Sequence, residues 1–119
     1  MKFLVAYGIP LFCCFVVDDE RLIADTTAMI LRINGYEAIA FYDPESVLKQ
    51  LDSNKPDIVI SDVIMPGMNG VDLAVLIRER CPACRIVLFS GQAATNDLLE
   101  EARRKGNMFE ILQKADPSY

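Results

Sequence analysis

Three aspartates stand where apolar runs of the chain end, and they are the residues best suited to chemistry. Asp18 and Asp19 follow the run 3–17, and Asp62 follows the shorter run 58–61. If the two runs are neighbouring strands, the three carboxylates converge in one pocket. Two such charges about 5 Å apart repel each other by roughly 3 kcal/mol at an effective dielectric near 20. A shared cation or a bound proton must then stabilise the cluster.

The absence of histidine narrows the chemistry further. A chain without histidine cannot contain a His-based triad, a His general base or a His metal ligand. An acidic pocket that offers oxygen ligands favours a hard cation such as Mg²⁺. We therefore interpret Asp62 as a nucleophile held within reach of a metal ion.

Two further polar residues, Ser90 and Lys114, follow later apolar runs. A hydroxyl, an ammonium group and a divalent ion placed around a carboxylate are suited to receiving a phosphoryl group, since the cations neutralise its oxygens while the carboxylate attacks. Each residue also has an ordinary structural explanation. The acids at 18–20 are typical helix caps, Asp62 and Ser90 are common in turns, and a lone lysine is usually a solvated surface residue. Their joint occurrence, each at the end of a different strand, favours a site.

These residues depend on elements that alternate along the chain. Apolar runs predict strands at 11–17, 36–41, 57–61, 85–89 and 109–113, and apolar spacing predicts helices at 20–34, 43–53, 71–80 and 95–105. Asp43-Pro44 supplies a helix cap with a proline in the first turn, and Gly35 is suited to ending the first helix. The first helix carries apolar or small residues at helical spacing: Leu22, Ile23, Thr26, Met29, Ile30 and Ile33. This alternation predicts an α/β fold with a parallel sheet and helices on both faces.

Length and composition indicate one globular domain. The chain has 119 residues, of which 52% are hydrophobic and 24% charged, and this argues against disorder. A net charge of −5 disfavours nucleic acid or an anionic membrane as a partner. The apolar run 3–17 is similar to a signal-peptide core, but it contains Gly8 and Pro10, lacks a convincing cleavage site and ends in acids. We expect a cytoplasmic protein, with residues 1–10 as an extension before a domain at 11–119.

The four cysteines suggest no separate chemistry. Cys13 and Cys14 lie within an apolar run, where cysteine acts as a small hydrophobe. Cys81 and Cys84 have the CxxC spacing, but they stand between a predicted helix and a strand, and no second ligand pair for zinc exists. We interpret this segment as a connector.

Four motifs resemble those of the receiver domains of bacterial two-component response regulators: VVDDE at 16–20, SDVIMPGMNG at 61–70, LFSG at 88–91 and ILQK at 111–114. The resemblance spans about residues 11–117 and implies a flavodoxin-like fold with strand order 2-1-3-4-5. It also implies Mg²⁺-dependent transfer of a phosphoryl group from a sensor histidine kinase to Asp62. Asp19 and Asp62 would bind the ion directly, Asp18 through water and Ile64 through its backbone carbonyl. Ser90 would be the switch hydroxyl and Lys114 the cation that pairs with the phosphoryl group.

The chain departs from this family pattern in three places. Ala115 stands where the family has a proline after a cis bond, and we predict a trans bond because a cis non-proline peptide costs about 2.5–4 kcal/mol. Ile111 replaces a frequent aromatic residue, while Phe109 lies two positions earlier on the same strand face. The family's last helix is missing, which predicts exposed apolar surface on the first helix. We expect residues 1–10 or a second chain, in a homodimer, to cover that surface.

Three other functions compete with a phosphorylated receiver that acts through a protein partner. The first is a pseudo-receiver, which uses the same fold for interaction or dimerisation without phosphorylation. The second is a phosphohydrolase, which would need an acid two residues after the nucleophile, where this chain has Ile64. A flavin site is disfavoured because Asp18 and Asp19 would repel its phosphate. We expect the chain not to be an enzyme.

Overall fold

Five strands alternate with four helices in the computed structural model, which describes residues 12–91 and 95–113. The strands are β1 (Cys13–Val17), β2 (Glu37–Phe41), β3 (Ile58–Asp62), β4 (Arg85–Ser90) and β5 (Glu110–Gln113). The helices are α1 (Arg21–Ile33), α2 (Pro44–Leu51), α3 (Gly70–Arg80) and α4 (Thr95–Arg104). All pairings are parallel and the sheet order is β2-β1-β3-β4-β5. The predicted fold class and strand order are confirmed.

The interior strand β1, between β2 and β3, separates two layers of apolar packing. All five of its residues are buried. Cys13, Phe15 and Val17 belong to the larger core, which includes residues of α2, α3 and α4. Cys14 and Val16 belong to a smaller cluster on the other face with Ala28 of α1. This alternation follows the two-residue period of a strand, and it shows why the whole strand is apolar.

Two helices begin with side-chain caps close to the carboxyl edge of the sheet. Asp43 precedes α2 and its Oδ1 accepts a hydrogen bond from the backbone N–H of Ser46 at 2.8 Å. Asn69 precedes α3 and accepts from the N–H of Asp72 at 2.9 Å. Each cap satisfies a backbone donor that the first helical turn leaves unpaired. The cap predicted at Asp43 is therefore confirmed.

Helix α1 turns small residues toward the sheet and large apolar residues outward. Ala24 and Ala28 are its buried residues. Leu31 is half-buried against the sheet. The exposed fractions of the other five large apolar side chains are 79% for Leu22, 40% for Ile23, 51% for Met29, 53% for Ile30 and 77% for Ile33. The apolar surface expected on the first helix is present. Periodicity alone did not show that the alanines form the buried side, because alanine contributes little to an apolar pattern.

Several predictions concern residues outside the described ranges. These are the extension at 1–10, Lys114, the trans bond before Ala115 and the end of the chain after strand β5. Within the described ranges, no helix has both the length and the apolar character that a membrane span needs.

Candidate functional site

The acidic site lies where β1 and β3 end side by side. The two strands pair in parallel, with Val17 opposite Ser61. Asp18 is the first residue after β1, and Asp62 is the last residue of β3. With Asp19 they form a group in which one carboxylate oxygen from each residue lies within 4.8 Å of the others. The structure confirms the prediction that these three carboxylates lie together.

Backbone contacts fix the two buried members of the group. The backbone N–H of Asp18 donates to the carbonyl of Phe41 at 3.1 Å, and its Oδ1 accepts from the N–H of Glu20 at 3.0 Å. The Oδ1 atom of Asp62 accepts from the N–H of Val63 at 2.9 Å. Backbone N–H groups close by in the chain therefore help to orient both carboxylates.

Helix α3 approaches the backbone of Asp62 very closely. The N–H of Gly70 donates to the carbonyl of Val63 at 2.7 Å. A Cβ atom at Gly70 would lie 2.1 Å from the Asp62 carbonyl oxygen and 2.9 Å from the Cα of Val63. Since both distances are below any real Cβ contact, only glycine fits at the start of α3.

The site combines burial with a high density of negative charge. Asp18 and Asp62 are 5% and 9% exposed, whereas Asp19 is exposed. At about 5 Å each pair of these charges repels by roughly 3 kcal/mol at an effective dielectric near 20. The donor set consists of carboxylate oxygens, which bind hard divalent cations such as Mg²⁺ well. The residues present therefore fit a magnesium ion.

Comparison with known proteins identifies the family. The family model for the response regulator receiver domain matches residues 14–117. The chain belongs to the response regulator receiver domain family. This receiver is 32% identical over 82 residues to the probable transcriptional regulatory protein TcrX of Mycobacterium tuberculosis, covering 69% of this chain and 35% of that protein. It is 36% identical over 91 residues to the response regulator protein FleR of Pseudomonas aeruginosa, covering 76% of this chain and 19% of that protein. The matched region thus spans about a third or less of the length of these relatives.

Solved structures show the same architecture. A response regulator receiver domain protein from Clostridium thermocellum superposes with a TM-score of 0.77 at 27% identity, covering 91% of this receiver and 86% of that chain. The response regulator TrrA from Thermotoga maritima, solved in complex with Mg²⁺-BeF, has a TM-score of 0.75 at 28% identity and covers 90% of each chain.

The remaining predicted site residues are placed only in part. Ser90 is the last residue of β4, next to β3 at the same edge of the sheet, and its backbone is paired with Gln113 of β5. Lys114 follows β5 directly but lies outside the described residues. Ile64 follows Asp62 by two positions, and its side chain is 43% exposed. The strand ends therefore bring the backbone of Ser90 to the edge that holds the acids.

An aromatic and ionic group beside the site was not predicted. Tyr42 directly follows β2, its hydroxyl donates to Asp25, and the Arg21 guanidinium lies 4.1 Å from its ring centroid. The hydrogen bond to Asp25 raises the pKa of the Tyr42 hydroxyl above its usual value. The rule that strand ends meet at one edge would have drawn attention to Tyr42, because it ends a strand as the aspartates do.

The cysteines show no sign of a reactive site. All four are buried free thiols. Burial, followed by the charge of Asp57, raises the pKa of the Cys14 thiol to about 11. Burial raises the pKa of the Cys84 thiol to about 12, with further contributions from the neighbouring Cys81. A thiol that stays protonated is a poor nucleophile.

Proposed function

We propose that this receiver accepts a phosphoryl group on Asp62 from a phosphohistidine of a sensor histidine kinase. The observation that carries the proposal is the group of three carboxylates within 4.8 Å at the ends of β1 and β3. Membership of the receiver family makes phosphoryl transfer the chemistry to expect of such a group. Asp62 is the proposed acceptor because it ends β3 and contributes a carboxylate oxygen to the group formed with Asp18 and Asp19.

The transfer replaces one bond to phosphorus with another. A carboxylate oxygen of Asp62 attacks the phosphorus atom, forming an acyl phosphate, and the bond from phosphorus to the histidine nitrogen breaks. The electron pair stays with the leaving imidazole nitrogen. The receiver is consumed in stoichiometric amount, so we propose that it is not itself an enzyme.

Asp18, Asp19 and Asp62, with the backbone carbonyl of Ile64, are the proposed holders of Mg²⁺. The bound ion would supply positive charge against the phosphoryl oxygens. The backbone N–H of Val63 holds the Asp62 carboxylate by a hydrogen bond. Ser90 and Lys114 are the proposed partners of the phosphoryl group after transfer, one as a hydroxyl donor and the other as a cation.

The proposed output is a protein contact made by the phosphorylated form. We also propose a cytoplasmic location, since four buried free thiols suit a reducing compartment. The relatives TcrX and FleR are longer than the matched region, so their regulatory activities do not define the target of this chain.

Incubation with acetyl phosphate and Mg²⁺, followed by intact-mass measurement, tests the proposal. We expect the native chain to gain the mass of one phosphoryl group and the Asp62→Asn variant to gain none. Asp52→Asn is a matched control, because Asp52 is an exposed aspartate at the end of α2, and it should be phosphorylated normally. If the native chain gains no mass with any phosphoryl donor, the pseudo-receiver is favoured instead. An equal gain in Asp62→Asn would place the acceptor elsewhere.

A further inference from the structure

A short turn, 18–20, carries two of the three carboxylates of the acidic site. It joins the end of β1 to the start of α1, and Asp18 and Asp19 are its first two residues. The orientation of metal-binding side chains depends on the groups that hold them in place. Since α1 follows the turn directly, the position of its first helical turn affects both carboxylates.

Helix α1 begins without the kind of side-chain cap that starts α2 and α3. Glu20 occupies the cap position, and among the described residues its side chain makes no capping hydrogen bond. Arg21 opens the helix, and no acidic residue lies in the first turn. A positive charge at this end of a helix opposes the helix dipole. The start of α1 is thus poorly stabilised by its own sequence, and contacts with another element have to hold it.

Tyr42 supplies such contacts from the end of β2. Its hydroxyl donates to Oδ1 of Asp25, and the Arg21 guanidinium lies 4.1 Å from its ring centroid. Arg21 and Asp25 are four residues apart, so they lie on the same side of α1. One aromatic side chain therefore holds the start of the helix at two points, by a hydrogen bond to a carboxylate and by a cation–π contact. We call these three residues the Tyr42 clamp.

The same end of β2 also holds the beginning of the turn. The backbone N–H of Asp18 donates to the carbonyl of Phe41 at 3.1 Å, and Phe41 precedes Tyr42 in the chain. Within the turn, the N–H of Glu20 donates to Oδ1 of Asp18 at 3.0 Å. Two adjacent residues therefore fix the turn: Phe41 holds its first residue through the backbone, and Tyr42 holds the helix that follows it.

We propose that Tyr42 is a positioning residue for the Mg²⁺ site, which it supports by holding the turn 18–20 against the end of β2. This inference rests on the proposed function, in which Asp18 and Asp19 help to hold the ion. Without the clamp the start of α1 can shift, and the two carboxylates lose part of their orientation toward the ion. The acceptor Asp62 belongs to β3, so transfer in a site filled with Mg²⁺ should proceed almost as before.

A Mg²⁺ titration of the whole chain by isothermal titration calorimetry tests the proposal. Tyr42→Phe keeps the ring and the net charge but removes the hydroxyl. Groups that orient metal ligands directly contribute about 10–100-fold to affinity; because Tyr42 acts through the backbone, we expect its dissociation constant to rise by about three- to ten-fold. With acetyl phosphate as donor, the Mg²⁺ concentration for half-maximal rate should rise by the same factor. The rate at saturating Mg²⁺ should stay within about two-fold of the native rate.

Tyr36→Phe is the matched control. Tyr36 directly precedes the same strand at its opposite end, and it is 41% exposed. This variant loses the same atom far from the turn, so it should bind Mg²⁺ as the native chain does. Urea unfolding confirms that both variants are folded and measures any loss of stability separately from the loss of affinity.

A second pair of variants tests whether Tyr42 acts through Asp25. Asp25→Ala removes the acceptor of the Tyr42 hydroxyl together with one negative charge. In this background Tyr42→Phe should raise the dissociation constant by less than about two-fold, because the hydrogen bond is already absent. The change of charge is common to both chains that are compared, so it cancels.

The outcomes separate this inference from the proposed function. If the native chain binds Mg²⁺ and Tyr42→Phe binds it equally well, the positioning role is overturned and the proposed function stands. An equal loss of affinity in Tyr36→Phe would also overturn the role, as would a full effect of Tyr42→Phe in the Asp25→Ala background. A saturated rate that falls as steeply as the affinity would count against it too, since general damage to the fold has that effect. A native chain that binds no Mg²⁺ would overturn both.

Discussion

The close approach of Gly70 to Asp62 leads to a prediction about the placement of the acceptor. Replacing Gly70 with alanine adds one Cβ atom, 2.1 Å from the Asp62 carbonyl oxygen. Ordinary contact begins near 3.4 Å, so helix α3 or the end of β3 must move by about 1.3 Å. Both neighbouring atoms belong to the backbone, which cannot rotate away as a side chain would. We therefore expect Gly70→Ala to displace the residue that carries the acceptor carboxylate.

We expect Gly70→Ala to reduce the rate of phosphorylation much more than it reduces the free energy of unfolding. Inserting an atom into a packed region typically costs about 1–3 kcal/mol. A misplacement near 1 Å in reacting groups can cost about 100-fold in rate. Gly70→Ala should therefore remain folded but react with acetyl phosphate about 100 times more slowly, and its affinity for Mg²⁺ should fall. Intact mass against time gives the rate, and urea unfolding gives the free energy of unfolding.

Gly35→Ala is the control for loss of stability alone. Gly35 follows α1 at the other end of the sheet, with φ of +93° and no atom within 4 Å of an added Cβ. Alanine there should cost about 1–2 kcal/mol through backbone strain and leave the phosphorylation rate unchanged. The reasoning is refuted if Gly70→Ala reacts at the native rate, or if Gly35→Ala slows the reaction equally.

Three further predictions concern a helix cap, the buried thiols and the lifetime of the phosphoryl group. Hydrogen bonds from Ser46 lower the pKa of Asp43, so its contribution to stability is present above about pH 4 and is lost as the pH falls through the folded-state pKa. Asp43→Ala should cost about 1 kcal/mol at neutral pH and less at pH 3 by urea unfolding; an equal loss at both would contradict this. Iodoacetamide at pH 8 should label Cys14 and Cys84 quickly in urea but slowly in the native chain, and rapid native labelling would be inconsistent with their raised pKa. Because Ile64 supplies neither an acid nor a base, phosphorylated Asp62 should persist for minutes or longer by quenched intact mass, and a half-life of seconds would exclude this.

The sequence was sufficient to predict the fold because the apolar runs, the turn residues and the helix caps all indicate the same alternation of strands and helices. Apolar runs such as that around Val59 are bounded by turn residues, and the cap at Asp43 begins a helix as predicted. The positions of Asp18, Asp19 and Asp62 followed from one rule, that parallel strands end at a common edge.

Features that depend on distances between elements were not predictable. The need for glycine at position 70 arises because α3 meets the backbone of β3, and no local pattern encodes that distance. Likewise, Ala24 and Ala28 form the buried side of α1 because small residues allow the helix to approach the sheet closely. The hydrogen bond of Tyr42 to Asp25 joins two elements whose separation the sequence does not give.

A magnesium titration followed by thermal unfolding tests the central claim most directly. The three carboxylates within 4.8 Å should share one cation, so binding should stabilise the native chain by about 2.7 kcal/mol at 100 times the dissociation constant, or roughly 10 °C. Asp62→Asn should unfold at a higher temperature than the native chain without metal, because one repelling charge is removed, and should respond little to Mg²⁺. Asp52→Asn should respond as the native chain does. An unfolding temperature of the native chain that does not change with Mg²⁺ would contradict the account.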